Sequence, residues 1–403
     1  MSTVRIKEKL ETEEKVDVDY SDLHPKIKMK DFYQNGHLKL LLPPEKLKAL
    51  EEGLKHEKGT FCYSKGYLQE ELKIESADRW IIRQEVAPNQ YEFIIPYKQL
   101  NDEGQTKTVL LGTGASAKVK LMQSTTGKLH IAKVEHIKPD DKNPEKRSLE
   151  INYFFINEAP FLKKLGRSQG HLIPKKRARS EKNKPIARLR ITDQFAPGEE
   201  LFKILKESNE EPYSRVLSPY YRFEIFLKLC DRVEELHKMD GTGWIHRDIK
   251  PANIICFIDP KTGAVTVTLV DFGFVKKLPP SGVIQDVYQG TVNYAAPEVR
   301  RKRASSYSMA SDIFAMGLTA QFLFRFLGNG ISNVEKWSNN EAGQVLYLLD
   351  NMKHKKPKRR ESVGFWKNKA LELRETYFNR IGLQRKISQK ELSPKEQPTL
   401  KKR

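Results

Sequence analysis

The sequence predicts an α+β fold in two unlike parts, a strand-rich part of about 110 residues followed by a helical part of about 180. Three observations carry this. Between Trp80 and Lys133, short aromatic and β-branched runs are broken by Pro88, Asn89 and Pro96. From Ser218 onward, Phe223, Phe226, Leu227, Cys230, Val233 and Leu236 recur at helical spacing. The 403 residues are enough for two or three units, or for one large unit of two parts.

Taken in order, residues 1 to 30 alternate charges without an apolar period and are not expected to fold alone. Pro43 and Pro44 open a short helical stretch with Leu47, Leu50 and Leu54 on one face and Gly53 near its end. Trp80 to Arg83 and Tyr91 to Ile95 read as strands, and strands continue to Lys133. A polar stretch at 138–146 precedes a helix expected to run through Glu150 and Phe155 toward Leu165. The following basic loop, 171–190, holds eight Lys or Arg against one acid, and Ala187 to Thr192 at its end alternates like a strand. Beyond Ile381, Ser388, Pro394 and Pro398 lie among many charges, the signature of a disordered tail.

Composition narrows the classes. Apolar residues at 38% plus 23 glycines approach the globular range of about 45–50%, so collagen-like, disulfide-scaffold and wholly disordered chains are excluded. The excess of 72 Lys and Arg over 52 Asp and Glu leaves +20, a field that favours phosphates, anionic lipid or acidic protein. The first residues have no apolar core of a signal peptide, and the best apolar stretch, 314–326, is too short to span a bilayer and contains Gln321, so a soluble chain is expected. Cys62, Cys230 and Cys256 are odd in number and far apart, which fits reduced thiols in a cytoplasmic setting.

The strongest signal lies at the junction of the two parts: Ile245-His246-Arg247-Asp248-Ile249-Lys250-Pro251-Ala252-Asn253, then Asp271-Phe272-Gly273, then Ala296-Pro297-Glu298. Each residue alone reads as an ordinary turn or cap former. Three motifs in this order, with Asn253 five residues past Asp248, resemble the catalytic region of a eukaryotic-type protein kinase, from about Gln90 to Ala370. The resemblance implies a bilobal protein kinase fold, with a β-rich N-lobe carrying one main helix and a helical C-lobe. It divides the chain into an N-terminal extension (1–88, partly disordered), an N-lobe (89–196), a C-lobe (197–380) and a basic disordered tail (381–403).

Phosphoryl transfer passes through a loose, charge-spread transition state, so the protein must align the nucleophile and hold a divalent cation on the phosphate oxygens. By the resemblance, Asp271 and Asn253 are the metal ligands for Mg²⁺, with Mn²⁺ as the alternative ion. Asp248 orients and deprotonates the substrate hydroxyl, and Lys250 neutralises the γ-phosphate. Leu111-Gly112-Thr113-Gly114-Ala115-Ser116-Ala117-Lys118-Val119 is similar to the glycine-rich loop over ATP, although Ala117 stands where a third glycine is usual. Lys133, in Leu129-His130-Ile131-Ala132-Lys133-Val134, matches the lysine that grips the α and β phosphates, with Ile131 in the usual alanine position and Lys128 as competitor. Its glutamate partner is Glu158 or Glu150, and Glu158 is favoured by apolar residues at +4 and +7. Pro160 requires that helix to bend or end. Residues 192–201 resemble the hinge, so backbone at Gln194 to Ala196 would take adenine and Glu200 the ribose, with Asp193 at a position usually apolar.

Lys250 and the Gly290-Thr291 pair resemble the serine/threonine branch, in which Thr291 bonds Asp248 and Lys250. A pseudokinase is the alternative, yet the lysine and both aspartates are present; a small-molecule kinase would lack Ala296-Pro297-Glu298 and the helix opened by Ser311-Asp312. Arg360 is the expected partner of Glu298. Family logic asks for a phosphorylated residue to neutralise Arg247, yet the position four before Thr291 is Val287, so Asp286 is expected to supply that charge. Ser281 and Tyr288 are candidate phosphosites. The expected partners are ATP and a protein substrate, acidic if the basic clusters at 175–190, 300–303 and 353–360 contact it. No RNA-binding pattern of interleaved aromatics accompanies those clusters. A secreted bacterial effector acting in a host cytosol would show this combination of intact motifs and divergent surroundings.

Overall fold

The computed structural model describes residues 33–34, 37–38, 48, 52, 61–64, 80–87, 90–100, 106–113, 117–124, 128–137, 157–165, 170–174, 187–207, 217–300, 305–324 and 338–380. The short helical stretch expected near 47–54 falls mostly outside them. So do Gly114 to Ser116 of the glycine-rich loop, Glu150, the basic loop at 175–186 and the C-terminal tail.

The N-terminal part is an eight-stranded antiparallel sheet. Its strands are β1 (Phe61–Ser64), β2 (Trp80–Ala87), β3 (Gln90–Pro96), β4 (Leu110–Thr113), β5 (Ala117–Ser124), β6 (Leu129–Ile137), β7 (Gly170–Pro174) and β8 (Ala187–Gln194). Spatial order is β7-β8-β6-β5-β3-β2-β1, with β4 also on β5, so the sheet continues across position 88 through the β2–β3 hairpin. Alternation on β6 sends Ala132 and Val134 into one core with Ile82, Ile94 and Met122. Ile131 and Lys133 therefore share the opposite face. There Tyr97, Val109 and Leu121 form a second cluster, against which Leu111, Leu129 and Phe195 pack.

Helix α1 (Ala159–Lys164) follows a π-type turn at Asn157 and Glu158. Pro160 sits in the first turn of α1, directly after the π-type turn, where no backbone N–H is required.

The C-terminal part is helical: α2 (Leu201–Glu207), α3 (Pro219–Lys238), α4 (Met309–Phe324), α5 (Asn339–Met352) and α6 (Val363–Arg380). Ser218 caps α3, with Pro219 at its first position. Phe223, Phe226, Leu229 and Val233 of α3 meet Met316 and Leu323 of α4 and Trp366 and Tyr377 of α6 in one large core. Each such side chain contributes about 1.5–3 kcal/mol on burial, which makes α3 the axis of this lobe. Short antiparallel strand pairs flank these helices. Strands β9 (Ile254–Ile258) and β10 (Val265–Leu269) pair under the hinge, and β11 (Ile284–Asp286) pairs with β12 (Ser305–Tyr307). Among the described residues no helix is long and apolar enough to cross a membrane.

Candidate active site

Strand β6 carries Lys133 between Val119 of β5 and Ile191 of β8. Its Nζ lies 2.6 Å from Asp271 Oδ1 and 3.4 Å from both carboxylate oxygens of Glu158, at the start of α1. Glu158 is thus the carboxylate brought to Lys133, and Lys128 is exposed at the other end of the strand. Below α1, aromatic rings run in contact from Phe161 to Phe272 at 5.0 Å and on to His246 at 5.1 Å, with Trp244 against Phe161 at 4.9 Å. These contacts tie the helix that holds Glu158 to the loop that holds Asp248.

Asp271 has φ 63° and ψ 67°, a left-handed backbone that turns its 42% exposed side chain out into the cleft. Burial by its surroundings would raise its pKa, but the charge and hydrogen bond of Lys133 outweigh this and hold the carboxyl below its ordinary value.

The facing loop is closed by hydrogen bonds around Asp248. Lys250 Nζ reaches Asp248 Oδ2 at 2.7 Å and Thr291 Oγ1 at 2.7 Å. Thr291 N donates to Asp248 Oδ1 at 2.8 Å. Asn253 Nδ2 donates to the Asp248 carbonyl at 2.9 Å and to Oδ2 at 3.0 Å, which leaves the Asn253 amide oxygen for another partner. Gly290 makes this closure possible: its φ is +100°, and a Cβ there would stand 2.5 Å from Arg247 O. Gly290→Ala is accordingly expected to pull Thr291 N off Asp248 and to cut phosphate incorporation about tenfold or more while the protein still folds, read by turnover beside a thermal melt.

Under this loop lies a carboxylate that the sequence reading quoted without giving it a role. Asp312, 1% exposed at the start of α4, accepts from the backbone N–H of His246 at 2.8 Å and of Arg247 at 3.0 Å, and meets His237 Nε2 at 3.0 Å. Burial pushes its pKa up, but the hydrogen bond and charge of His237, with the charge and backbone N–H of His246, more than reverse this. Its signal was available: one aspartate in an otherwise apolar helix must find partners indoors.

Arg247 has φ 68° and a fully buried side chain. Its Nη1 pairs with Asp286 Oδ2 at 2.9 Å, its Nε donates to Phe274 O, and its Cζ stacks 5.0 Å over the Tyr307 ring. Lys276, not anticipated from sequence, joins Asp286 at 3.1 Å. Burial alone would raise the Asp286 pKa; the Lys276 and Arg247 hydrogen bonds lower it overall. Farther down, Arg360 makes a bidentate pair with Glu298 at 2.6 and 2.9 Å.

At the hinge, Phe195 N donates to Leu129 O at 3.3 Å and Gln194 N to Asp193 Oδ1 at 2.8 Å. Asp193 is 6% exposed and pairs opposite Ile131 on β6. The Ala196 backbone N–H and C=O are not used by any described residue. Gly198, at φ +100°, lets the chain pass the Cys256 carbonyl, where a Cβ would come within 2.0 Å. A Cβ on Gly112 would be 4.0 Å from Glu200 Oε1, so the strand entering the glycine-rich loop faces the hinge carboxylate, which also meets Lys203 at 3.2 Å. Thr113 and Ala117 are placed by their backbone alone, at the two ends of that loop, and Val119 follows on β5 opposite Lys133.

The donor set fits a nucleotide with a hard divalent cation. The Asp271 carboxylate and the Asn253 amide both offer oxygen donors that would suit such an ion, and phosphate oxygens would complete the shell. No group of three or more His, Cys, Asp or Glu able to cage a metal occurs among the described residues.

A strand-built lobe offering a lysine, over a helical lobe offering two aspartates and an asparagine, is the build of a two-lobed phosphotransferase. The family model described as "Protein kinase domain" matches residues 106–373, and the chain belongs to that family. It is a divergent eukaryotic-type member. Over 161 residues it is 30% identical to the interferon-induced, double-stranded RNA-activated protein kinase of Rattus norvegicus, covering 36% of this chain and 30% of that protein. Over 163 residues it is 29% identical to ribosomal protein S6 kinase alpha-6 of Homo sapiens, covering 40% and 20%. Over 217 residues it is 30% identical to the citron rho-interacting kinase of Rattus norvegicus, covering 52% and 9%. The chain thus spans less than a third of the length of each of these relatives.

Proposed function

We propose that this protein is a serine/threonine kinase that transfers the γ-phosphate of MgATP to a protein hydroxyl, on the order of 1 to 100 times per second. The observation that carries the reading is Lys250 Nζ bonded at once to Asp248 and Thr291, a cation fixed beside the proposed base. Bound MgATP supplies the phosphoryl group and the metal charge; Mn²⁺ is the alternative ion. Asp248 orients the substrate hydroxyl and takes its proton at Oδ2 or Oδ1. Lys250 stabilises the charge that develops on the transferring group, and Lys133, steadied by Glu158, holds the α and β phosphates. Asp271 and Asn253 hold the metal. The backbone at 194–196 holds the adenine, Glu200 the ribose, and residues 111–119 cover the phosphates.

The test is phosphate incorporation from labelled ATP into a generic basic protein and into the enzyme itself, with wild type beside Asp248→Ala and Asp271→Ala. Incorporation lost in both variants supports the reading. None in wild type with either Mg²⁺ or Mn²⁺ would instead favour a pseudokinase or scaffold that acts by binding. Cys230 and Cys256 are buried free thiols whose pKa values burial raises, in keeping with the reducing cytoplasm where we place the reaction.

The Arg247–Asp286–Lys276 cluster supports activity without prior phosphorylation, because a carboxylate of the chain already neutralises the buried guanidinium. The Asp286 pKa is lowered, so this ion pairing is complete above the ordinary carboxylate value of about 3.9 and fades only as pH falls through the lower folded value. Phosphatase-treated wild type is expected to keep its rate, and Asp286→Asn to lose about tenfold or more, with Asp286→Glu largely spared. Full loss of activity on phosphatase treatment would show that a phosphate, not Asp286, does this work.

A further inference from the structure

The loop between α5 and α6 is held firmly. The buried Arg360 pairs with Glu298, donates to Ala310 O at 2.9 Å and, through Nε, to His354 O at 2.8 Å. Lys356 N donates to His354 Nδ1 at 3.0 Å, and Pro357–Arg359 form a 3₁₀ turn. This frame presents Lys355, Lys356, Lys358 and Arg359, all exposed, in a run of five residues without an acid. None of the four has a carboxylate partner among the described residues. Several other surface cations do have one: Lys228, Arg232, Lys238 and Lys369 each meet an acid on their own helix, and Lys367 meets Asp231 across two helices. Four cations held close together with no partner repel one another, and an external anion relieves that repulsion.

The Glu298–Arg360 pair also brings this loop to the segment that leaves the active site. Two residues past Glu298, Arg300 is exposed and its Nε donates to Ala295 O, four residues from Thr291. We propose that Arg300 and the 355–359 loop form a docking surface for an acidic segment of the protein substrate. The proposal rests on the kinase reading above and adds the substrate class to it. Continuity with Thr291 and Asp248 through 295–300 favours a substrate chain already seated in the cleft. A lipid surface would be better served by apolar anchors, and a nucleic acid by stacking aromatics, and no exposed large apolar side chain lies in 353–362.

The test is fluorescence anisotropy of a dye-labelled octaglutamate peptide with the full chain, which reads binding without turnover. Wild type and Asp248→Ala are expected to bind alike, and Lys355→Ser/Lys356→Ser/Lys358→Ser/Arg359→Ser to bind about tenfold or more weakly, with binding also weakened by salt. Lys358→Glu alone, which changes one exposed residue, is expected to weaken binding about threefold or more. In turnover, the fourfold variant should raise KM for a peptide substrate carrying an acidic stretch and leave that for one without it unchanged. Equal peptide binding by wild type and both variants would overturn the proposal. So would tighter binding of phosphatidylserine vesicles or of oligo-uridylate through the same four residues. A failed kinase reading would instead appear as absent phosphate incorporation with peptide binding intact.

Discussion

Asp248→Ala is expected to lower phosphate incorporation by about a hundredfold to ten-thousandfold, the usual worth of a positioned general base. The carboxylate also receives Thr291 N, Lys250 Nζ and Asn253 Nδ2, so its removal leaves three donors facing one another around an empty place. Asp248→Asn separates these effects, because it keeps an acceptor for Thr291 N but cannot take a proton. Loss of the same order in both variants, with MgATP still raising the melting temperature, marks proton acceptance as the main contribution. An Asn variant that keeps most of its activity would remove the base role from Asp248. Asp271→Ala should differ in kind: its incorporation is lost together with the metal-dependent part of the thermal shift.

The largest expected loss of stability comes from Arg360→Met. The guanidinium is buried, bidentate to Glu298, bonded to two carbonyls and stacked 4.9 Å from the Phe314 ring. Breaking such a pair from one side strands a buried charge and costs about 3–5 kcal/mol. For a protein of this size that lowers the melting temperature by on the order of 10 °C. Adding Glu298→Leu to Arg360→Met is expected to recover much of the loss, since the stranded carboxylate is then gone. A single variant that melts within a degree or two of wild type would show that the pair is not a structural tie.

Much of the site was legible because its chemistry is packed into short runs. Asp248, Lys250 and Asn253 lie within six residues, and a loop that short brings them together wherever it sits. Strand β6 was legible for a similar reason: alternation alone sets Lys133 and Ile131 on one face and Ala132 on the other. The pairing of Arg247 with Asp286, and of Arg360 with Glu298, was expected from the motifs, and the geometry brings both pairs together. Helix α5 could have been found and was not. Ser338 and Glu341 form a capping box that opens it, with Ser338 N donating to Glu341 Oε2 at 2.8 Å; the stretch was expected to be helical only as part of the region beyond Ser218, with no individual helix placed there. Pro160 was expected to bend or end its helix, and the backbone departs from regular α-helix as a π-type turn immediately before it.

The sequence by itself determined the strand and helix parts and the order of the motifs. Those depend on side-chain period and residue chemistry, which are local. The tertiary structure decided which distant charges meet. Lys276 joins Arg247 at Asp286, Asp312 reaches under the loop that carries Asp248, and Glu298 anchors a cationic loop beside the segment leaving the candidate active site. No period or spacing encodes such meetings, because a charge finds its partner only after the apolar cores around α3 and β6 have set where each element lies.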